Sequence, residues 1–179
     1  MQSIDGAVRI MAEAGQSRWE IDALDLPPSG GAVCLRLAGP PNALTALSKD
    51  VLARGPGECL PPSEADALWM DLGEARWSHT DGVLVKVPLT FTNISPVNSL
   101  MQSLEGSRIH ISGGGNLALV SLPSAEQAAK LDQGLRTLGL TGMTLRGDAP
   151  LWLGARPQPQ IASAVKDALD PQHRFPLLD

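Results

Sequence analysis

Glycine and proline cut this chain into short pieces: 18 glycines and 15 prolines fall among 179 residues. Proline lacks the donor that helix and sheet ladders need, and glycine is costly inside either. The segments between these breaks alternate in type. Ile4, Ala7, Val8 and Met11 follow helical spacing, with Ser3 placed to cap and Gly15 to stop. Residues 19–26 read as a strand ending at Pro27-Pro28, and residues 32–37 as the second arm of a hairpin across Ser29-Gly30-Gly31. Pro41 or Asn42 then opens a helix with Leu44, Leu47, Val51 and Leu52 on its apolar face, ended at Gly55.

Residues 55–63 hold Gly55, Pro56, Gly57, Pro61 and Pro62. They form the best candidate linker in a single domain spanning 1–179, with possible sub-units 1–55 and 63–179. Ser63 and Asp66 suit a capping pair for a helix carrying Leu68, Trp69 and Leu72. Val83, Val85, Val87 and Leu89 alternate with Leu84, Lys86 and Pro88, a strand with one wetter face, where Pro88 implies an edge position or a strand end. Pro96 suits the first turn of a helix using Val97, Leu100, Met101 and Leu104.

The next stretch is the most regular. Residues 108–111 and 117–122 read as strands joined by Gly113-Gly114-Gly115. Ser124 and Gln127 match a capping box, opening a helix with Ala128, Leu131, Leu135 and Leu138 on one face and Gly139 beyond its end. Residues 143–145 and 150–153 read as two more strands. Pro159 opens a last helix with Ile161, Val165 and Leu169, stopped by Asp170-Pro171.

Residues 83–146 therefore read βαββαβ, the ferredoxin-like split pattern. A β-β-α unit precedes them, and its Gly30-Gly31 strand-turn-helix echoes the one from Gly114. The expected class is α+β, one antiparallel sheet with helices on one face.

Composition removes several function classes. Asp and Glu outnumber Lys and Arg 19 to 14, a net charge of −5, which disfavours a nucleic-acid backbone. There is no tyrosine and only two phenylalanines, too few for a base-stacking platform. Hydrophobic residues at 43% against 18% charged fit a folded core rather than a disordered chain. No apolar run approaches the roughly 20 residues of a membrane span. The opening residues mix Asp5 and Gly6 into their apolar run, unlike a signal peptide. Two cysteines, Cys34 and Cys59, without a CxxC, fit a reducing, cytoplasmic setting.

Chemistry is sparse. No dinucleotide fingerprint or Walker loop occurs, and Gly113-Gly114-Gly115 links strands as a tight turn would. His79, His110 and His173 are scattered without metal-ligand spacing, so no metal is expected. Cys34 reads as a small buried hydrophobe, and Cys59 lacks a basic neighbour. The four tryptophans read as anchors of core or interface. Arg36, Lys86, Arg108 and Arg146 fall in strands. On an open sheet face they would bind a carboxylate; otherwise they are the solvent-facing positions of half-buried strands. Read from residues alone, the chain is an α+β domain without a self-contained active site. It would suit a ferredoxin-like interaction or assembly module with no catalytic part.

The C-terminal residues 165–175, with Lys166, Asp170-Pro171 and Phe175, resemble the closing segment of flavin-linked oxidases of the vanillyl-alcohol-oxidase type. There a helix runs into Lys-x-x-Leu/Phe-Asp-Pro-x-x-x-Phe-Asn-Pro-Gly. Residues 83–89, 109–120, 144–148 and 32–52 are similar, in order, to strand and strand-helix segments of the FAD-binding subunits of bacterial glycolate oxidases. The resemblance implies the C-terminal cap, or substrate, half of such a subunit, with FAD held by a flavin-binding domain elsewhere and oxidase subunits or a second copy as partners. It makes Arg36, Lys86, Arg108, His110 and Arg146 substrate-facing candidates. Phe175 and Pro176 match the flavin-side motif in part, because Leu177-Leu178-Asp179 replaces its end. Related 2-hydroxy-acid dehydrogenases carry His-x-Gly-Asp-Gly-Asn-Leu-His at a metal; here Gly114 and Ala118 stand where that pattern has an acid and its second histidine. With too few helices to cover both sheet faces, the second face is expected to await a partner.

Overall fold

Val83, Val85 and Val87 are sealed from solvent, while Lys86 and Pro88 among them are exposed. This alternation orients the main sheet. The computed structural model describes residues 4–156, 159–172 and 174. Helix α1 (Ile4–Gly15) leads to a hairpin of β1 (Ile21–Asp25) and β2 (Cys34–Leu37), then α2 (Pro41–Leu52) and α3 (Pro62–Gly73). There follow β3 (Val83–Pro88), α4 (Phe91–Gln102), β4 (Arg108–Ser112), a 3-10 turn at Gly113–Gly115, β5 (Leu117–Leu122), α5 (Ala125–Leu138), β6 (Thr141–Arg146), β7 (Trp152–Gly154) and α6 (Pro159–Leu169). The class is α+β. Five strands form one sheet in the order β4-β5-β3-β6-β7, and every neighbouring pair is antiparallel.

Helices α4 and α5 bury Ile94, Val97 and Met101, and Ala128, Leu131 and Leu135, in the same core as the sealed valines of β3. A fully buried leucine such as Leu131 contributes about 1.5–3 kcal/mol. Helix α1 adds Ala7, Met11 and Ala14, and β1 adds Leu24, so residues on both sides of the 55–63 stretch share one core. The hairpin joins the main sheet through one bridge: Leu26 N–H donates to Ile111 O at 2.7 Å, and Ile111 N–H to Leu26 O at 3.0 Å.

Local signals hold where they rest on backbone chemistry. Ser124 Oγ accepts from Gln127 N–H, and Gly139 caps α5 in the left-handed region at φ 66°. The expected Ser63 cap does not form. Pro61 is the cap residue of α3, and Ser63 lies inside the helix, because Pro62 already supplies a first-turn residue that needs no donor. Pro96 lies inside α4 rather than at its start. An interior proline costs about 3 kcal/mol. Burial of Ile94, worth about 1.5–3 kcal/mol, and of Phe91 against the Gly115 turn offsets that cost. Pro88 ends β3, a central strand rather than an edge.

Two expected apolar faces stay outside the core. Helix α2 buries no residue, although its sequence echoes that of α5. On α6, Ile161, Val165 and Leu169 are 56%, 51% and 81% exposed. Ser3, His173, Phe175 and Pro176 lie outside the described residues.

Candidate functional site

Strand pairing sets the second sheet face in rows, because residues directly opposite share a face. One row runs Arg108, Ser121, Leu84, Arg146. The next runs His110, Leu119, Lys86, Met143, Trp152 across all five strands.

The segment between α3 and β3 lies along the first row as a strap. Arg108 Nη1 donates to Trp77 O at 2.6 Å, and His79 N–H donates to Ser121 Oγ at 2.8 Å. Arg146 Nη2 donates to Ser78 Oγ at 2.7 Å and to His79 O at 3.0 Å. Beneath it Leu84 and Ser121 are buried. The second face, expected to await a partner, is thus covered in part by the chain itself. An irregular strap, with side-chain donors from the sheet satisfying its backbone, covers a face without needing a helix.

His110 heads the second row and is 3% exposed. Its Nε2 lies 2.9 Å from Asp25 Oδ2. The bridge at Leu26 explains the placement: Leu26 takes the core side, so Asp25, one residue earlier, takes the other. The Trp77 ring stands at 86° to the imidazole, with centroids 5.8 Å apart. His110 Nδ1 and Trp77 Nε1 are both sealed from solvent and lack a hydrogen-bond partner. Buried polar atoms of this kind are uncommon in folded proteins.

A hollow of about 420 Å³ opens beside this pair, lined among others by Asp25, Arg36, Trp69, Leu72, His110 and Leu119. Strand β2 supplies Arg36. Its Nε donates to Asp22 Oδ2 at 2.5 Å, and its guanidinium lies 5.0 Å over the Trp69 ring. The two terminal amino groups of Arg36 make no hydrogen bond among the described residues. A second hollow of about 590 Å³ shares Asp25 and Ser112 and reaches Gly113 and Gly114. Cys34 pairs opposite Asp25, and burial, then the Asp25 charge, push its thiol above the ordinary range. That makes it a poor nucleophile.

The five sequence candidates divide. Arg36 and His110 meet in one hollow. Arg108 and Arg146 hold the strap. Lys86 lies two strands from His110, exposed, with no ion pair among the described residues. Among the described residues no cluster of three His, Cys, Asp or Glu side chains could hold a metal ion. Sequence reasoning missed Asp25 and Trp77. An acid between Leu24 and Leu26 just before Pro27 was the available signal for Asp25, since a carboxylate in an apolar strand needs a partner. Trp77 carries no local signal.

No helix of the described residues is long and apolar enough to cross a membrane. No protein-family model, curated protein or solved structure matches the chain.

Proposed function

We propose that the chain is the substrate-side cap of a flavin-linked oxidase or dehydrogenase acting on a glycolate-type 2-hydroxy acid, with FAD held by a separate domain or subunit. One observation carries the reading: a guanidinium and an imidazole–carboxylate pair share a hollow on the sheet face away from α4 and α5. The terminal amino groups of Arg36 suit a substrate carboxylate. His110, oriented by Asp25, would take the hydroxyl proton at Nδ1 once that nitrogen, sealed in the structure described, is exposed. The flavin supplies the hydride acceptor when bound. This chain's residues do not fit the flavin's pyrophosphate, because Gly113–Gly115 join two strands and open no α-helix. The strand order β4-β5-β3-β6 supports a ferredoxin-like description of the central unit.

A second reading, a ferredoxin-like interaction or assembly module without catalysis, draws on the exposed stripe Ile161, Val165 and Leu169. Co-expression with a flavin-domain gene from the same neighbourhood separates the two. The cap reading expects a yellow complex with stoichiometric FAD that reduces a dye with glycolate, and a colourless chain when purified alone. A chain that recruits no flavoprotein, or a complex inert to every small 2-hydroxy acid, favours the module.

A further inference from the structure

Every open sheet ends in strands with one unpaired side, and folded chains protect such edges. Both edges of the five-stranded sheet are engaged. On β4, Ile111 exchanges two backbone bonds with Leu26. On β7, Gly154 N–H donates to Asp132 Oδ1 at 2.7 Å. Strand β2 of the hairpin is different. Ala38 N–H donates to Glu20 O at 3.0 Å, so Ala38 turns its backbone towards the β1 side. That direction alternates along a strand. Arg36 and Cys34 follow Ala38, because the irregularity of this ladder lies on β1, between Ile21 and Ala23. Leu35 and Leu37 therefore turn N–H and C=O outward, where neither makes a hydrogen bond among the described residues. The two faces of this edge differ. On one, Val33 and Leu35 pack half-buried against the core. On the other, Arg36 keeps two terminal amino groups beyond its bond to Asp22.

We propose that the outer edge of β2 takes an extended acidic peptide of a partner protein as an added antiparallel strand, with an apolar residue on each side of one Glu or Asp. Leu35 and Leu37 supply the main-chain hydrogen bonds. The peptide residue between their partners stands opposite Arg36 in a non-hydrogen-bonded pair, where cross-strand side chains come closest, about 4.5 Å between Cα atoms. A carboxylate there meets the two remaining amino groups of the guanidinium. The residue opposite Leu35 points to the core side and is apolar, because it covers the half-exposed flank of that leucine. Charge argues against a second copy as the occupant. Residues 33–38 contain no acid, so β2 paired with β2 offers Arg36 no carboxylate. This inference goes beyond the cap reading and does not rest on it.

The test is NMR titration of the isotope-labelled full chain with the peptide Ser-Thr-Val-Glu-Val-Thr-Ser and with its Glu-to-Lys counterpart. The acidic peptide should saturably shift the Leu35 and Leu37 amides and slow their hydrogen exchange, with less effect on the Cys34 and Arg36 amides already turned to β1. The Lys peptide should bind about fivefold more weakly, the upper end for one exposed ion pair. Methylating the two valine nitrogens removes the donors that face β2 and should abolish binding, whereas methylating the glutamate nitrogen, which faces away, should leave most of it. Arg36→Glu should reverse the preference between the two peptides. No saturable protection of Leu35 and Leu37, equal binding of the two peptides, or indifference to valine methylation overturns the site. Protection of the same amides that grows with protein concentration and needs no peptide overturns it in favour of a second copy. If Arg36→Glu does not fold, the valine-methylated and glutamate-methylated peptides, compared on the unsubstituted chain, decide.

Discussion

Asp25 Oδ2 and His110 Nε2 lie 2.9 Å apart although 85 residues separate them in sequence, and both side chains are almost sealed from water. The pair ties the hairpin to β4 at the point where a single bridge connects them. Asp25→Ala leaves the imidazole with both nitrogens unpartnered in a buried site. It should cost about 1–3 kcal/mol in urea unfolding. Asp22→Ala removes an exposed ion pair with Arg36 and should cost under about 1 kcal/mol. Equal losses in the two variants would remove the structural role given to the buried pair.

Gly154 and Gly114 separate a glycine needed for space from one needed only for its backbone angle. A Cβ on Gly154, at φ 80°, would fall 2.2 Å from Leu140 O, a backbone atom with no room to retreat. At Gly114, φ 66°, it would meet nothing within 4 Å. Gly114→Ala should cost about 1–2 kcal/mol, and Gly154→Ala should cost more than that and displace β7. Thermal melts of the two variants check the order, which a larger loss at Gly114 would reverse.

Asp132 predicts an acid-side loss of stability. Its hydrogen bond from Arg136 pulls its carboxyl below the usual carboxylate range; partial burial pushes the other way, and the Gly154 N–H adds to the pull. A group depressed on folding stabilises the fold above its unfolded value of about 3.9 and loses that contribution as pH falls through its lower folded value. Asp132→Asn should therefore be less stable than the unsubstituted chain at neutral pH, with the gap closing below about pH 3.9. Denaturation midpoints along a pH series measure this, and a gap that stays constant into strong acid would be inconsistent with it.

The cysteines should label at different rates. Cys59 is exposed, while burial and Asp25 hold the Cys34 thiol above its ordinary range. A thiol-reactive dye at mildly alkaline pH should modify Cys59 first, and Cys34→Ser should abolish the slow phase. A single fast phase for both sites would show that Cys34 is more open than its packing implies.

Sequence alone determined what short-range chemistry controls. The Ser124 cap, the Gly139 stop, the strand-glycine-strand turn at 113–115 and the alternation of Val83, Val85 and Val87 all rest on residues within a few positions of one another. These features suffice for the α+β class and for most element positions. Only the tertiary structure decided the site. Arg36, Lys86, Arg108 and Arg146 look alike in sequence, yet cross-strand register sends two of them to hold a strap, one to the hollow and one to solvent. Pro96 sits mid-helix because Ile94 and Phe91 find a core that the local sequence does not contain. Asp25 becomes a partner of His110 because one bridge between Leu26 and Ile111 fixes which way each neighbouring side chain points. A strand's period of two residues makes each choice of face depend on register, and register is set by contacts far away in the chain.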